Sequence, residues 1–109
     1  MLLLAVETAF GEESLQCDIG PIDKEYGGTK WHVYSCADNN TLVINSYPGS
    51  QASPFYFMFY IKEGAYQLYG EGAGDKAFTK AASDELGKFT ESDIKALIYQ
   101  TKSVQKNTN

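Results

Sequence analysis

The run FYFMFYI, Phe55–Ile61, sets the tightest limit on what this chain can fold into. It is rich in β-forming aromatic residues and bounded by Pro54 on one side and Lys62-Glu63-Gly64 on the other, which marks a strand. A strand with one wet face should alternate apolar and polar side chains. Here the only polar groups are tyrosine hydroxyls. Each face of the strand therefore needs an account of what covers it.

The hairpin that follows decides the facing. A turn over Glu63-Gly64 places Ile61 opposite Tyr66 and Phe59 opposite Leu68. One face then collects Phe55, Phe57, Phe59, Ile61, Tyr66 and Leu68. The other carries Tyr56, Met58, Tyr60, Gln67, Tyr69 and Glu71. Slipping the register by one residue would set Gln67 and Glu71 among the phenylalanines, where their polar groups would lose water without gaining partners.

Upstream, TKWHVYSC (Thr29–Cys36) and TLVINSY (Thr41–Tyr47) read as a second hairpin turning over Ala37–Asn40. Cys36 opposite Thr41 gives the pairs Ser35–Leu42, Val33–Ile44 and Trp31–Ser46. Trp31, Val33, Leu42 and Ile44 make the better core face, and His32, Tyr34, Val43, Asn45 and Tyr47 take the other. The segment Pro48–Pro54 connects the two hairpins as a loop. Asn39-Asn40-Thr41 matches a glycosylation pattern, but Asp38-Asn39-Asn40 is first of all turn chemistry.

Two helices should follow. After the glycine-rich GEGAGD, Asp75 is placed to cap a helix running to about Lys88, with Phe78, Ala82 and Leu86 on one stripe and Gly87 at its end. In FTESDI, Thr90 and Asp93 form a capping box and Phe89 can staple onto Ile94. Ile94, Leu97, Ile98 and Thr101 then line one side of a helix ending near Lys102. The expected fold is α+β: an antiparallel four-stranded meander with both C-terminal helices packed on the phenylalanine face. Residues 28–103 form that domain, 1–27 an acidic N-terminal segment, and 104–109 a disordered tail.

Charge narrows the function classes. The chain of 109 residues carries a net charge of −5. Glu7, Glu12, Glu13, Asp18, Asp23 and Glu25 face only Lys24 in the first 25 residues, and beyond them the charges cancel. There is no arginine. Nucleic-acid binding needs clustered cations to displace phosphate counterions, so it is not expected. No apolar run approaches the ~20 residues of a membrane span. The start MLLLAVETAFGEES resembles the end of an export-signal apolar region without its basic flank. It reads as a signal remnant or as a short element docked on the core. Cys17 and Cys36 make one bridge available and, beside that start, point to a periplasmic or secreted protein.

Catalytic groups are sparse. His32 is the only histidine. Cys36 points the same way along the strand but lies about 13 Å away at ~3.3 Å per residue. A Cys17/His32/Cys36 metal set lacks a fourth ligand. GEGAG follows a strand and opens a helix as phosphate loops do, but Glu71 and Asp75 repel anions. Glu71 and Asp75 are better explained as an edge charge and a helix cap than as an acid/base pair. No cofactor or metal is expected.

The tyrosine face remains without an evident cover in residues 75–102. The N-terminal segment, curling of the sheet into a partial barrel, a protein partner (a second copy included) or a small stacking ligand would each serve. Tyrosine and methionine suit an interface, because they give contact area at low conformational cost. The expectation is a non-enzymatic exported binding domain, inhibitor- or immunity-like in type. It would engage a protein partner, a basic one on charge grounds, or itself through Tyr56, Met58, Tyr60, Gln67 and Tyr69. The alternatives are a small hydrolase or transferase working through His32 with nearby acids, and a small-ligand carrier.

Overall fold

The computed structural model describes residues 15–107. Five strands form one antiparallel sheet in sequence order: β1 (Ile19–Tyr26), β2 (Thr29–Ser35), β3 (Leu42–Ser46), β4 (Phe55–Lys62) and β5 (Ala65–Gly72). Two helices follow, α1 (Lys76–Leu86) and α2 (Glu91–Asn107). The architecture is the α+β meander with C-terminal helices on one face, with one strand more than expected.

The additional strand is β1, within the segment read as an acidic N-terminal flank. Its residues do alternate: Ile22, Lys24 and Tyr26 share one side, while Asp23 and Glu25 take the other and pair with His32 and Lys30. Two carboxylates at the outward positions and Gly20-Pro21 at the start make the stretch look like a charged loop. A register shift between Ile19 and Ile22 marks the irregular entry. Residues 1–14, where the signal-remnant reading falls, lie outside the described residues.

The inner face matches the expected registers. Ser35 pairs Leu42, Val33 pairs Ile44, Phe59 pairs Leu68 and Ile61 pairs Tyr66. Trp31, Val33, Leu42, Ile44 and Phe57 are buried, together with Ala82 and Leu86 of α1 and Ile94, Leu97 and Ile98 of α2. The indole N–H of Trp31 donates to the Tyr26 carbonyl at 2.9 Å, so its one polar atom is satisfied in the core. Ile61 departs from the expected set. It sits beside the tight turn with 43% of its surface exposed.

Both helices start as their sequences demand. The Asp75 carboxylate accepts from the Ala77 amide. The Thr90 hydroxyl accepts from the Asp93 amide, and the Asp93 carboxylate accepts from the Thr90 amide. α2 runs to Asn107, so the stretch expected to be a disordered tail from 104 is helical to that point. Gly27 lets α1 approach the β1–β2 turn. At φ +63°, a β-carbon there would lie 2.4 Å from the Ala82 nitrogen. The Gly27 amide also donates to the Glu85 carboxylate at 2.9 Å.

Cys17 and Cys36 are joined in a disulfide. It ties the chain entering β1 to the end of β2, where Ala37 also donates to the Gln16 carbonyl. The turn after it is held by Asp38, whose carboxylate accepts from the amides of Asn40 and Thr41 and from the Thr41 hydroxyl. Desolvation would raise the Asp38 pKa, but these hydrogen bonds outweigh it and hold the group below its ordinary value. That assigns Asn39-Asn40-Thr41 a clear turn role.

Candidate functional site

The meander makes the two separately read tyrosine-bearing faces into one surface. Because β3 pairs with β4, Tyr34, Val43, Met58 and Tyr69 are successive cross-strand partners from β2 to β5. At ~4.8 Å per strand this apolar row runs about 14 Å across the sheet. Beside it runs a polar row, Asp23, His32, Asn45, Tyr56 and Glu71, with a carboxylate at each end. Tyr60 and Gln67 pair on the other side of the apolar row.

All five residues expected to form the site lie on this face. Tyr56, Met58 and Tyr60 are half-buried, and Gln67 and Tyr69 are exposed. No helix among the described residues packs here, since both contribute to the opposite, buried layer. Ring neighbours within the sheet contribute to the cover. The Tyr56 and Tyr69 rings stand 6.1 Å apart, and His32 lies against Tyr47 at 4.6 Å. Lys30 places its ammonium 5.0 Å from the Tyr47 ring. Tyr34, Val43, His32 and Tyr47 thus belong to the surface although only the second hairpin was expected to form it. The loop Pro48–Pro54 gave no parity from which to join the two hairpins.

Electrostatics concentrate at the two ends. The Tyr69 hydroxyl donates to a Glu71 carboxylate oxygen at 2.6 Å. That hydrogen bond, followed by a smaller desolvation effect and the negative charge of Glu71, pushes the phenol up to about 12. Next to Glu71 is a cleft of about 300 Å³ lined by Asn45, Pro54, Tyr56 and Gly72 among others. At the far end His32 Nδ1 lies 2.8 Å from Asp23 Oδ1, and since a carboxylate only accepts, the ring nitrogen donates.

The chemistry foreseen for other motifs resolves locally. With both sulfurs in the disulfide, neither Cys17 nor Cys36 carries a thiol for a Cys/His pair. Among the described residues no cluster of His, Cys, Asp or Glu has metal-binding geometry. Glu71 is engaged with Tyr69, and Asp75 caps α1. Comparison with known proteins finds no matching family model, no matching curated protein and no matching solved structure.

Proposed function

We infer that this chain is a non-enzymatic binding domain that engages a protein partner through the outer face of its sheet. The observation that carries this is the continuous row Tyr34–Val43–Met58–Tyr69, which no described element covers. Contiguous aromatic and methionine surface of this kind is what protein interfaces are built from. Glu71 beside a cleft, with Asp23 at the other end, favours a partner that presents basic side chains around an apolar centre. An inhibitor or immunity-type role is the concrete form. The disulfide favours an oxidising compartment, hence a periplasmic or secreted protein. No helix among the described residues is long and apolar enough to cross a membrane.

The test uses immobilised protein against extracytoplasmic extract, comparing wild type with the Tyr56→Ser/Tyr60→Ser/Tyr69→Ser variant. A partner held by wild type and released by the variant, with thermal unfolding preserved, is the expected result. Equal retention by both would remove the face from consideration. Unfolding of the variant would show those tyrosines to be core.

One observation favours a second reading. The Asp23–His32 pair is the arrangement that orients an imidazole as a general base in a hydrolase or transferase. His32→Ala separates the two: an enzyme loses turnover, whereas a binding domain keeps its partner nearly unchanged.

A further inference from the structure

The two edges of the sheet are built differently. β1 is guarded: Pro21 lacks an amide donor, the register shifts between Ile19 and Ile22, and α2 packs alongside the strand. β5 has none of these devices. It pairs with β4 at all eight positions without a shift, contains neither proline nor lysine, and has Glu71 as its one charge. Nothing among the described residues pairs with its outer edge.

Which groups face that edge follows from the turn. Glu63 and Gly64, at φ +54° and +82°, form a two-residue turn that closes Lys62 and Ala65 as a hydrogen-bonded pair. Alternation then turns the amides and carbonyls of Ala65, Gln67, Tyr69 and Glu71 toward β4. Those of Tyr66, Leu68 and Gly70 point outward.

We propose that β5 is a dimerisation edge, which pairs antiparallel with β5 of a second copy about a two-fold axis at Leu68. Leu68 then faces Leu68 of the second copy, and Tyr66 and Gly70 face each other reciprocally, so every outward amide and carbonyl of those residues gains a partner. Parity is kept, and the inner apolar face runs on from one copy to the next. A cleft of about 330 Å³ lies beside this edge between Leu68 and Gly70 of β5, the phenylalanines of β4, and an α1 side that includes the charged Lys80 and Asp84. The Leu68 side chain of the second copy would border its sheet side, while Tyr66 stays on its own chain, its hydroxyl donating to the Asn40 carbonyl at 2.7 Å.

Charge fits the same register. On the outer face Glu71 falls opposite Ala65 of the second copy, and Ala65 is paired in turn with Lys62. Glu71 of one copy and Lys62 of the other therefore stand two strand spacings apart, about 10 Å, with only a methyl group between. The two-fold axis repeats this pair. Closure also favours a second copy over any open chain of molecules. Joining the two β5 edges leaves only the two guarded β1 edges, so assembly stops at two. Tyr69 meets Gln67 of the second copy, which makes the outer tyrosine surfaces continuous.

A contact made by a single strand edge belongs at the small end of specific interfaces, so dissociation is expected in roughly the micromolar range. Sedimentation velocity across that range should show the mass rising from one chain to two and levelling there. Lys62→Glu and Glu71→Lys should each weaken the dimer roughly tenfold or more by opposing like charges, and the combined swap should restore it. Circular dichroism of each variant checks that the monomer fold is retained. One-chain mass at every concentration would overturn the proposal. So would growth beyond two, or single variants that dimerise as wild type does.

Discussion

The two faces of the sheet are made from the same strands and nearly the same ring sizes, yet one is core and the other is surface. Along β4, Phe57 and Phe59 turn inward and are buried, whereas Tyr56, Met58 and Tyr60 turn outward and remain half-exposed. Between phenylalanine and tyrosine stands one hydroxyl. That hydroxyl lets a large ring remain at the water boundary without an internal partner. A run that looks uniformly apolar is therefore an alternating strand after all, with tyrosine filling the polar half of the period. The phenylalanines specify the fold, and the tyrosines are free to specify a contact.

The sharpest way to break this comparison is to truncate one ring on each face. Phe57→Ala should cost about 3–5 kcal/mol, from lost burial plus the cavity left between β4 and the helices. Tyr56→Ala, next to it in the strand, should cost no more than ~1 kcal/mol. Urea unfolding followed by the fluorescence of buried Trp31 measures both. Equal losses would mean that the outer face is core as well.

Opening the disulfide separates the fold from the face in a different way. Cys17→Ser/Cys36→Ser releases a loop with a sequence separation of 19 residues, and the stability loss should be about 3 kcal/mol. The outer row is carried by β2 to β5, so partner retention under conditions where the variant remains folded should not change. Loss of retention in a folded variant would place the chain before β1 in the contact.

How much of this was legible in the sequence follows from where the signals were local. Glu63-Gly64 fixed the β4–β5 register because a tight turn transmits parity, and Thr90 with Asp93 marked the start of α2 because a capping box spans only four residues. β1 was hidden because outward acids and Gly20-Pro21 resemble a loop, although Ile22, Lys24 and Tyr26 lay in period two. The end of α2 is not legible because Val104 is followed only by the polar Gln105, Lys106 and Asn107, which give no stripe to follow. Half of the candidate site was legible. Tyr34 and Val43 joined Met58 and Tyr69 only through β3–β4 pairing, which a seven-residue loop with two prolines does not encode locally.

Tyrosines on the two faces also make a pH comparison. Tyr26, on the inner face, is pushed up to about 12, mainly by burial and in smaller part by the charge of Glu85. Below pH 10 the phenol is neutral whether the chain is folded or unfolded, and its contribution is fully present. Between about 10 and 12 the unfolded chain ionises while the folded one does not, so stability should fall as pH rises. The loss should be on the order of 2 kcal/mol and should be absent in Tyr26→Phe. Urea midpoints at pH 9 to 12 would show it, and identical slopes for both proteins would refute it.

Tyr69 reaches the same elevated pKa from the outer face by another route, and here the expected effect on stability is smallest. Its phenol is held up first by donating to Glu71, not by burial. Glu71→Gln removes the charged acceptor, so the Tyr69 transition should move down toward the ordinary 10.0 while Tyr26 stays high. Phenolate absorbance during alkaline titration resolves this, with Tyr69→Phe identifying the transition that moved. Because the ring is exposed, the unfolding midpoint at neutral pH should hardly respond to either change. If Glu71→Gln left the Tyr69 transition in place, the outer hydroxyl would be governed by its surroundings as the inner one is, and the division between the two faces would lose its electrostatic half.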